Sequence, residues 1–206
     1  WIGTYWGGGL AMFDRATEQS IRYTPNPDDP ESLWVGEGIN VIYEDTEGVL
    51  WIGTAGGGLN TFDREAETFT HYINDPDDPQ SLGHNTVTAI YEDHLGILWI
   101  ATYGGGLNRF DRNTEQFTRY TNDPTNPQSL SEDNILEIYV DSTGEFWLGM
   151  DSTGLDTFDR ETKQFAHYPS DPTDPGSLSG RAIQLIYEDR AGVLWFGSQL
   201  NGLNKL

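Results

Sequence analysis

Five tryptophans lay out the ground plan. Trp1, Trp51, Trp99, Trp147 and Trp195 are separated by 50, 48, 48 and 48 residues, a spacing that belongs to repeat architectures. Each unit runs in one order: an apolar stretch such as TVTAIYED (86–93), a short turn, LWIAT (98–102), a Gly-rich turn, GLNRFD (106–111), another turn, then QFTRYT (116–121). These stretches are short, rich in β-branched and aromatic residues and bounded by turn formers, which predicts four strands per unit, A to D. No segment carries helical periodicity long enough to compete.

Strand B is apolar on both faces, as Leu98, Trp99 and Ile100 show, so its sheet must be covered on both sides. Four-stranded antiparallel sheets of about 40–50 residues, each stacked on the next, are the blades of a β-propeller of WD40-like type. The expected fold is therefore all-β, with about four repeats of 48 residues: a partial blade over 1–33, blades over 34–82, 83–130 and 131–178, and a partial blade over 179–206. The first unit supplies strands B to D and the last A to C, so the expectation is an arc of a larger ring or assembly, completed by further blades or by other copies of the chain. A closed four-bladed ring with a displaced tail is the alternative.

Composition narrows the partners. With 33 Asp and Glu against 11 Lys and Arg the formal charge is −22, which repels nucleic acid and anionic membranes. No window approaches the roughly 20 apolar residues of a membrane helix, so no membrane insertion is expected. There is no cysteine, which removes disulfides, thiolate nucleophiles and cysteine metal sites together. The first residue is Trp1 rather than Met, and the expectation is a processed or excised chain whose targeting segment is not visible.

The pattern IYED..G.LWIGT.GGGLN.FDR.T..F..Y.NDP.DP.SL, repeated along essentially the whole chain, resembles the two-component regulator propeller repeat. That resemblance implies a β-propeller from the sensor region of a hybrid histidine kinase, periplasmic or extracellular. It fixes a scaffold more firmly than a function, because one propeller can serve many ligands.

Several tempting features read as scaffold. The GGGL motif recurs at 7–10, 56–59 and 104–107, with STGL at 152–155 and NGL at 201–203; glycine supplies the positive φ of a turn, and neither a following Lys-Ser/Thr nor a helix is there to hold phosphate. All ten prolines lie in four linkers between D and the next A, where Asp side chains should cap nearby amides. Asp75, Asp77 and Asp78 lack the alternating spacing of a calcium loop. The FDR triplets, with Asp14, Asp63, Asp111 and Asp159, read as hairpin turns neutralised by the neighbouring Arg. His71 and His167 share one position of strand D with Arg22 and Arg119, which suggests a tolerant outer site rather than a metal ligand. No nucleophile triad, HExxH or ligand-spaced cluster is present; no cofactor, metal or catalytic residue is assigned.

A ligand should sit where the repeats differ. In the usual propeller order the turn after strand B opens on the same face as the residues before strand A. After B the series is Tyr5 and Trp6, Ala55, Tyr103, Asp151 and Gln199; before A it is Trp34 to Glu37, His84 and Asn85, Glu132 with Asp133 and Asn134, and Arg181. Aromatics, amides, carboxylates and a guanidinium suit a polar ligand with an apolar face, such as a carbohydrate or peptide. Trp6 and Trp34 each belong to a one-residue insertion. The leading expectation is a non-enzymatic binding scaffold, sensory or extracellular, for a carbohydrate, peptide or protein. The alternative is a structural protein that self-assembles through open blade edges. A propeller lyase or hydrolase is the third class.

Overall fold

In a computed structural model, every regular element among the described residues is a β-strand. The structure describes residues 1–6, 8–171, 173–174 and 176–205; Gly7 of the first glycine turn, Pro172 and Pro175 of the fourth linker and Leu206 lie outside them. The strands form five antiparallel sheets among the described residues. The first holds β1 (Ile2–Gly3), β2 (Leu10–Asp14) and β3 (Gln19–Tyr23); the second β4 (Gly36–Glu44), β5 (Leu50–Gly56), β6 (Leu59–Asp63) and β7 (Thr68–Tyr72). The third holds β8 (Val87–Glu92), β9 (Leu98–Thr102), β10 (Leu107–Asp111) and β11 (Gln116–Tyr120). The fourth holds β12 (Ile135–Val140), β13 (Phe146–Met150), β14 (Leu155–Asp159) and β15 (Gln164–Tyr168); the fifth β16 (Ile183–Glu188), β17 (Leu194–Ser198) and β18 (Gly202–Lys205). Strand order follows chain order in every sheet, so each blade is a meander in the predicted sequence of A, B, C and D.

The tryptophan period has a polar counterpart. Asp45 accepts the amides of Glu47 and Val49 on one carboxylate oxygen and the indole N–H of Trp51, at 2.7 Å, on the other. The same bond joins Trp99 to Asp93, Trp147 to Asp141 and Trp195 to Asp189, at 3.0, 2.9 and 2.9 Å. A buried indole N–H without an acceptor would be costly, so the acidic A–B turn is what lets Trp51, Trp99 and Trp147 enter the core.

Two compact units make up the chain, one of residues 1–100 and 108–119, the other of residues 101–107 and 120–206. In the first, Leu10, Ile39, Ile52, Phe62 and Phe69 pack together, and a second cluster joins Trp51, Val87, Ile100, Phe110 and Phe117. In the other, Trp147 packs with Leu155, Ile183, Ile186 and Phe196. Each such side chain contributes about 1.5–3 kcal/mol on leaving water, and each cluster draws residues from two neighbouring sheets, so a blade standing alone would leave part of this surface in water.

The C–D turns behave as predicted in their Asp residues and differently in their Arg residues. Asp63 accepts the amides of Glu65 and Ala66, and Asp111 and Asp159 cap their turns likewise. The next Arg does not neutralise that Asp. Arg112 instead reaches Asp45 and Glu92, both at 2.8 Å, while Arg64 pairs with Glu44 at 2.8 Å. Because the turn Asp is already satisfied by backbone amides, the guanidinium is released for carboxylates elsewhere in the sheets.

The D–A linkers cap themselves through Asp and Ser: Asp75 and Asp78 accept the amides of Asp77 and Gln80, and Ser81 Oγ donates to the carbonyls of Asp75 and Asp78. Among the described residues no group of three or more His, Asp or Glu side chains stands close enough to hold a metal ion.

Candidate ligand-binding rim

The predicted meeting of the B–C turn with the residues before strand A is present in both units. In the first, the N–H groups of Gly56 and Gly58 donate to the carbonyl of Asn85, at 3.0 and 2.8 Å, and Trp6 N–H donates to the carbonyl of Glu37 at 2.8 Å. In the other, Gly104 and Gly106 N–H donate to the carbonyl of Asp133, each at 3.0 Å, and Gly154 N–H donates to the carbonyl of Arg181 at 2.9 Å. Thus each of these turns is fastened to the start of the following blade. Gly58 has φ of 77°, and a Cβ there would run into the carbonyl of Tyr72, which is why this turn keeps its glycine.

The rim of the first unit is aromatic. Tyr5 and Trp6 meet edge to face with ring centroids 5.3 Å apart, and the Tyr5 hydroxyl donates to the Glu37 carboxylate at 3.5 Å. Trp6 is 83% exposed and lies at φ 64°. Among the described residues the other non-glycine residues with positive φ, Glu18, Glu67, Glu115 and Lys163, occupy one repeated place in the C–D turn, whereas Trp6 stands where the later B–C turns place glycine, Gly56 at φ 101° and Gly104 at φ 109°, each making the same N–H bond to a carbonyl before strand A. A bulky side chain in the left-handed region is strained by about 1–3 kcal/mol, and here no burial offsets it.

Trp34 is 40% exposed, and its indole stacks on His71 with centroids 4.6 Å apart and planes 14° from parallel. His71 in turn stands with its ring nitrogens 2.7 Å from Asn60 Oδ1 and 3.0 Å from the carbonyl of Pro30. His84 is exposed and its Nδ1 accepts the amide of Thr86, whereas Asn85 is half-buried and its side chain takes the amide of Asn74 at 2.6 Å. Asn85 thus serves the scaffold as well as the rim. Ala55 is buried and bridges Thr86.

The rim of the other unit is polar. The Tyr103 hydroxyl donates to Asp151 at 2.9 Å, and that carboxylate pushes the phenol pKa above its ordinary value. Glu132 accepts the amide and hydroxyl of Ser152 and those of Thr153, so it caps the B–C turn that ends in Gly154. Asp133 takes the amide of Asn122 at 2.7 Å, and Asn134 bridges Tyr103 and accepts the Asp151 amide. Arg181 and Gln199 are exposed and line, with Asp151, Ser179, Ser198 and Asn201, a cleft of about 430 Å³. The structure brings these side chains together, with Glu132 and Asp133 already engaged by backbone amides.

One buried position was invisible in the sequence. Asn60, fully buried, accepts the Trp34 amide and donates to the carbonyls of Trp34 and Ile52. Asn108, Asp156 and Asn204 take the amides of Gly83, Ser131 and Ser179 in the same way, each at 2.8 Å. They recur in every GLN or GLD, which was the available signal. His71 and His167, like Arg119 at the same position, bond the linker beside strand D. His167 stands between Asp156 and the carbonyl of Pro127, and Arg119 donates to the carbonyls of Ser81 and Asp78. Each ties strand D to its linker, and burial raises the Asp156 pKa against its amide and His167 partners.

Residues 34–56, 81–104 and 177–199 match the family described as two component regulator propeller. No curated protein matches the sequence. Among solved structures, the extracellular domain of the putative hybrid two component system BT4673 from B. thetaiotaomicron is 26% identical, with a TM-score of 0.75 over 98% of this chain and 27% of that one. PorZ of Porphyromonas gingivalis, a surface component of the type-IX secretion system, is 19% identical with a TM-score of 0.67 over 98% of this chain and 30% of its own. The WD40 β-propeller domain of Doa1 is 12% identical with a TM-score of 0.58 over 82% of this chain and 50% of its own. The chain therefore spans under a third of the length of the first two. Strand order, the recurring Asp and Trp pair and these matches agree: this chain has a β-propeller fold, and three of its segments match the two component regulator propeller family.

Proposed function

We propose that the chain is the recognition part of a sensor outside the cytoplasm, in the periplasm or at the cell surface, and that it works by binding rather than by catalysis. The observation that carries this reading is Trp6, presented to solvent in a strained backbone conformation beside Tyr5 and Glu37. Strain kept at a unique, exposed aromatic is a mark of function more than of folding. An exposed indole and phenol offer flat apolar faces, and Glu37 offers an acceptor beside them, the combination that a carbohydrate or a peptide side chain requires. The polar cleft around Arg181 and Gln199 extends the range of ligands toward those rich in hydroxyl or carboxylate groups. The resemblance to the extracellular domain of BT4673 supports the sensory setting.

The test is a panel of oligosaccharides and peptides titrated against the 206-residue chain, followed by intrinsic tryptophan fluorescence. A ligand whose binding falls at least about tenfold in Trp6→Gly, with unchanged circular dichroism, supports the proposal. A panel in which every binder is indifferent to Trp6 and Tyr5 overturns it.

A further inference from the structure

We infer that the cleft between the first D–A linker and the Gly56–Gly57 turn is a docking site for a proline ring carried by an extended, basic peptide segment of a protein partner. The inference rests on the recognition role proposed above and narrows the ligand at one place. The cleft measures about 350 Å³ and is lined by Pro25, Pro27, Trp34, Gly36, Gly56 and Gly57 among others.

Trp34 is there for something other than folding. Its backbone amide makes the bond to Asn60 that Gly83, Ser131 and Ser179 make to Asn108, Asp156 and Asn204, so the scaffold is content with glycine or serine at this place. The indole is nevertheless held flat by His71 on one side, and His71 is fixed by Asn60 and the carbonyl of Pro30. A rigid, partly exposed indole is preorganised for stacking, which lowers the entropy lost on binding.

Hydrogen bonding decides between ligand classes. The amide of Trp34 is taken by Asn60, that of Gly57 by the Thr54 hydroxyl, and those of Gly56 and Gly58 by the carbonyl of Asn85. These donors are already engaged, which disfavours a sugar, whose many hydroxyls need fixed partners. Proline brings an apolar ring, no N–H to satisfy, and a preformed extended backbone that docks on aromatic walls. The charge of the partner follows from the surroundings. Asp28, Asp29, Glu31 and Glu37 are all exposed on the segments that flank the cleft, in a chain of formal charge −22, so flanking arginines are attracted and flanking acids repelled.

The experiment compares a short synthetic peptide with an Arg-Pro-Pro-Arg core against one with Arg-Ala-Ala-Arg, titrated onto the 206-residue chain. The proline peptide is expected to bind and to shift tryptophan fluorescence, the alanine peptide to bind at least about tenfold more weakly, and added salt to weaken both. Trp34→Gly, which installs the residue found at position 83, is expected to reduce proline-peptide binding about tenfold or more while melting is unchanged. His71→Arg, which keeps the donor to the linker and removes the stacked ring, is expected to weaken binding less. Equal binding of the two peptides, no binding of either, or indifference to Trp34→Gly overturns the inference. If the inference fails while another ligand still binds in a Trp6-dependent manner, the recognition role stands without this site.

Discussion

The indole N–H of Trp51 donates to the carboxylate of Asp45 at 2.7 Å, and Arg112 donates to the same carboxylate oxygen at 2.8 Å. The side chain of Asp45 is fully buried. Burial alone would raise its pKa, but the Trp51 indole, Arg112 and the Val49 amide outweigh that and hold it below the ordinary carboxylate range. Asp45→Ala leaves the Trp51 indole N–H and the Glu47 and Val49 amides without their acceptor and removes one of the two carboxylates that hold Arg112 at 2.8 Å, and a loss of about 3–5 kcal/mol is expected in urea denaturation. Asp45→Asn, which can still accept from Trp51, should lose less. Because the folded pKa is depressed, the carboxylate's contribution is complete above its unfolded pKa and fades as pH falls through the folded one.

Arg112 and Arg64 stand at the same point of successive repeats and should differ in consequence. Arg112 bonds Asp45 and the nearly buried Glu92, and Glu92 in turn accepts the amide and hydroxyl of Thr46. Arg64 and Glu44 are roughly half exposed. Arg112→Ala is expected to destabilise by about 3 kcal/mol, and Arg64→Ala by less than about 1 kcal/mol. Paired denaturation curves of the two variants check this.

Two glycines with similar backbones separate conformational freedom from space. Gly48 has φ 83° with nothing within 4 Å of where an added methyl group would sit, whereas at Gly58, φ 77°, the methyl would meet the carbonyl of Tyr72. Gly48→Ala is expected to cost about 1 kcal/mol from the left-handed conformation alone. Gly58→Ala should cost more than about 3 kcal/mol, because backbone must also move. Melting temperatures rank the pair directly.

Glu137 gives a pH dependence of opposite sign to Asp45. Burial pushes its carboxyl up to about 7, with the amide of Ile138 opposing, and the equivalent residues of other blades are Val41, Ala89 and Leu185. The folded pKa is raised, so the protonated form stabilises below the unfolded pKa of about 4.5 and that stability is lost as pH rises toward 7. Glu137→Leu is expected to be more stabilising at about pH 8 than at about pH 5, by about 1–3 kcal/mol. A variant whose advantage did not grow with pH would show that Glu137 ionises without penalty.

Strands, turns and the repeat were legible in the sequence because each is a local pattern: alternation in FTHY, a glycine after LWIGT, a Trp every 48 residues in the later units. What joins the repeats was not. Arg112 looks like the neighbour of Asp111, yet it acts on Asp45, 67 residues earlier. Trp34 and His71 read as separate variable positions, and only the fold stacks them. Glu132 and Asp133 looked free for a ligand, but both cap backbone amides, a role that depends on where the next glycine turn is brought. Trp6 stood out in the sequence as an inserted aromatic; its positive φ could be learned only from the backbone.

Function and folding should therefore separate at Trp6, and one paired measurement decides it: thermal melting and ligand titration of Trp6→Gly beside the unaltered chain. Removing a bulky residue from φ 64° is expected to leave the melting temperature unchanged or raise it, by about 0.5–1 kcal/mol of stability, while binding of the panel's best ligand falls at least about tenfold. A variant that melts lower and binds as before would make Trp6 a structural residue and contradict the recognition role of this rim.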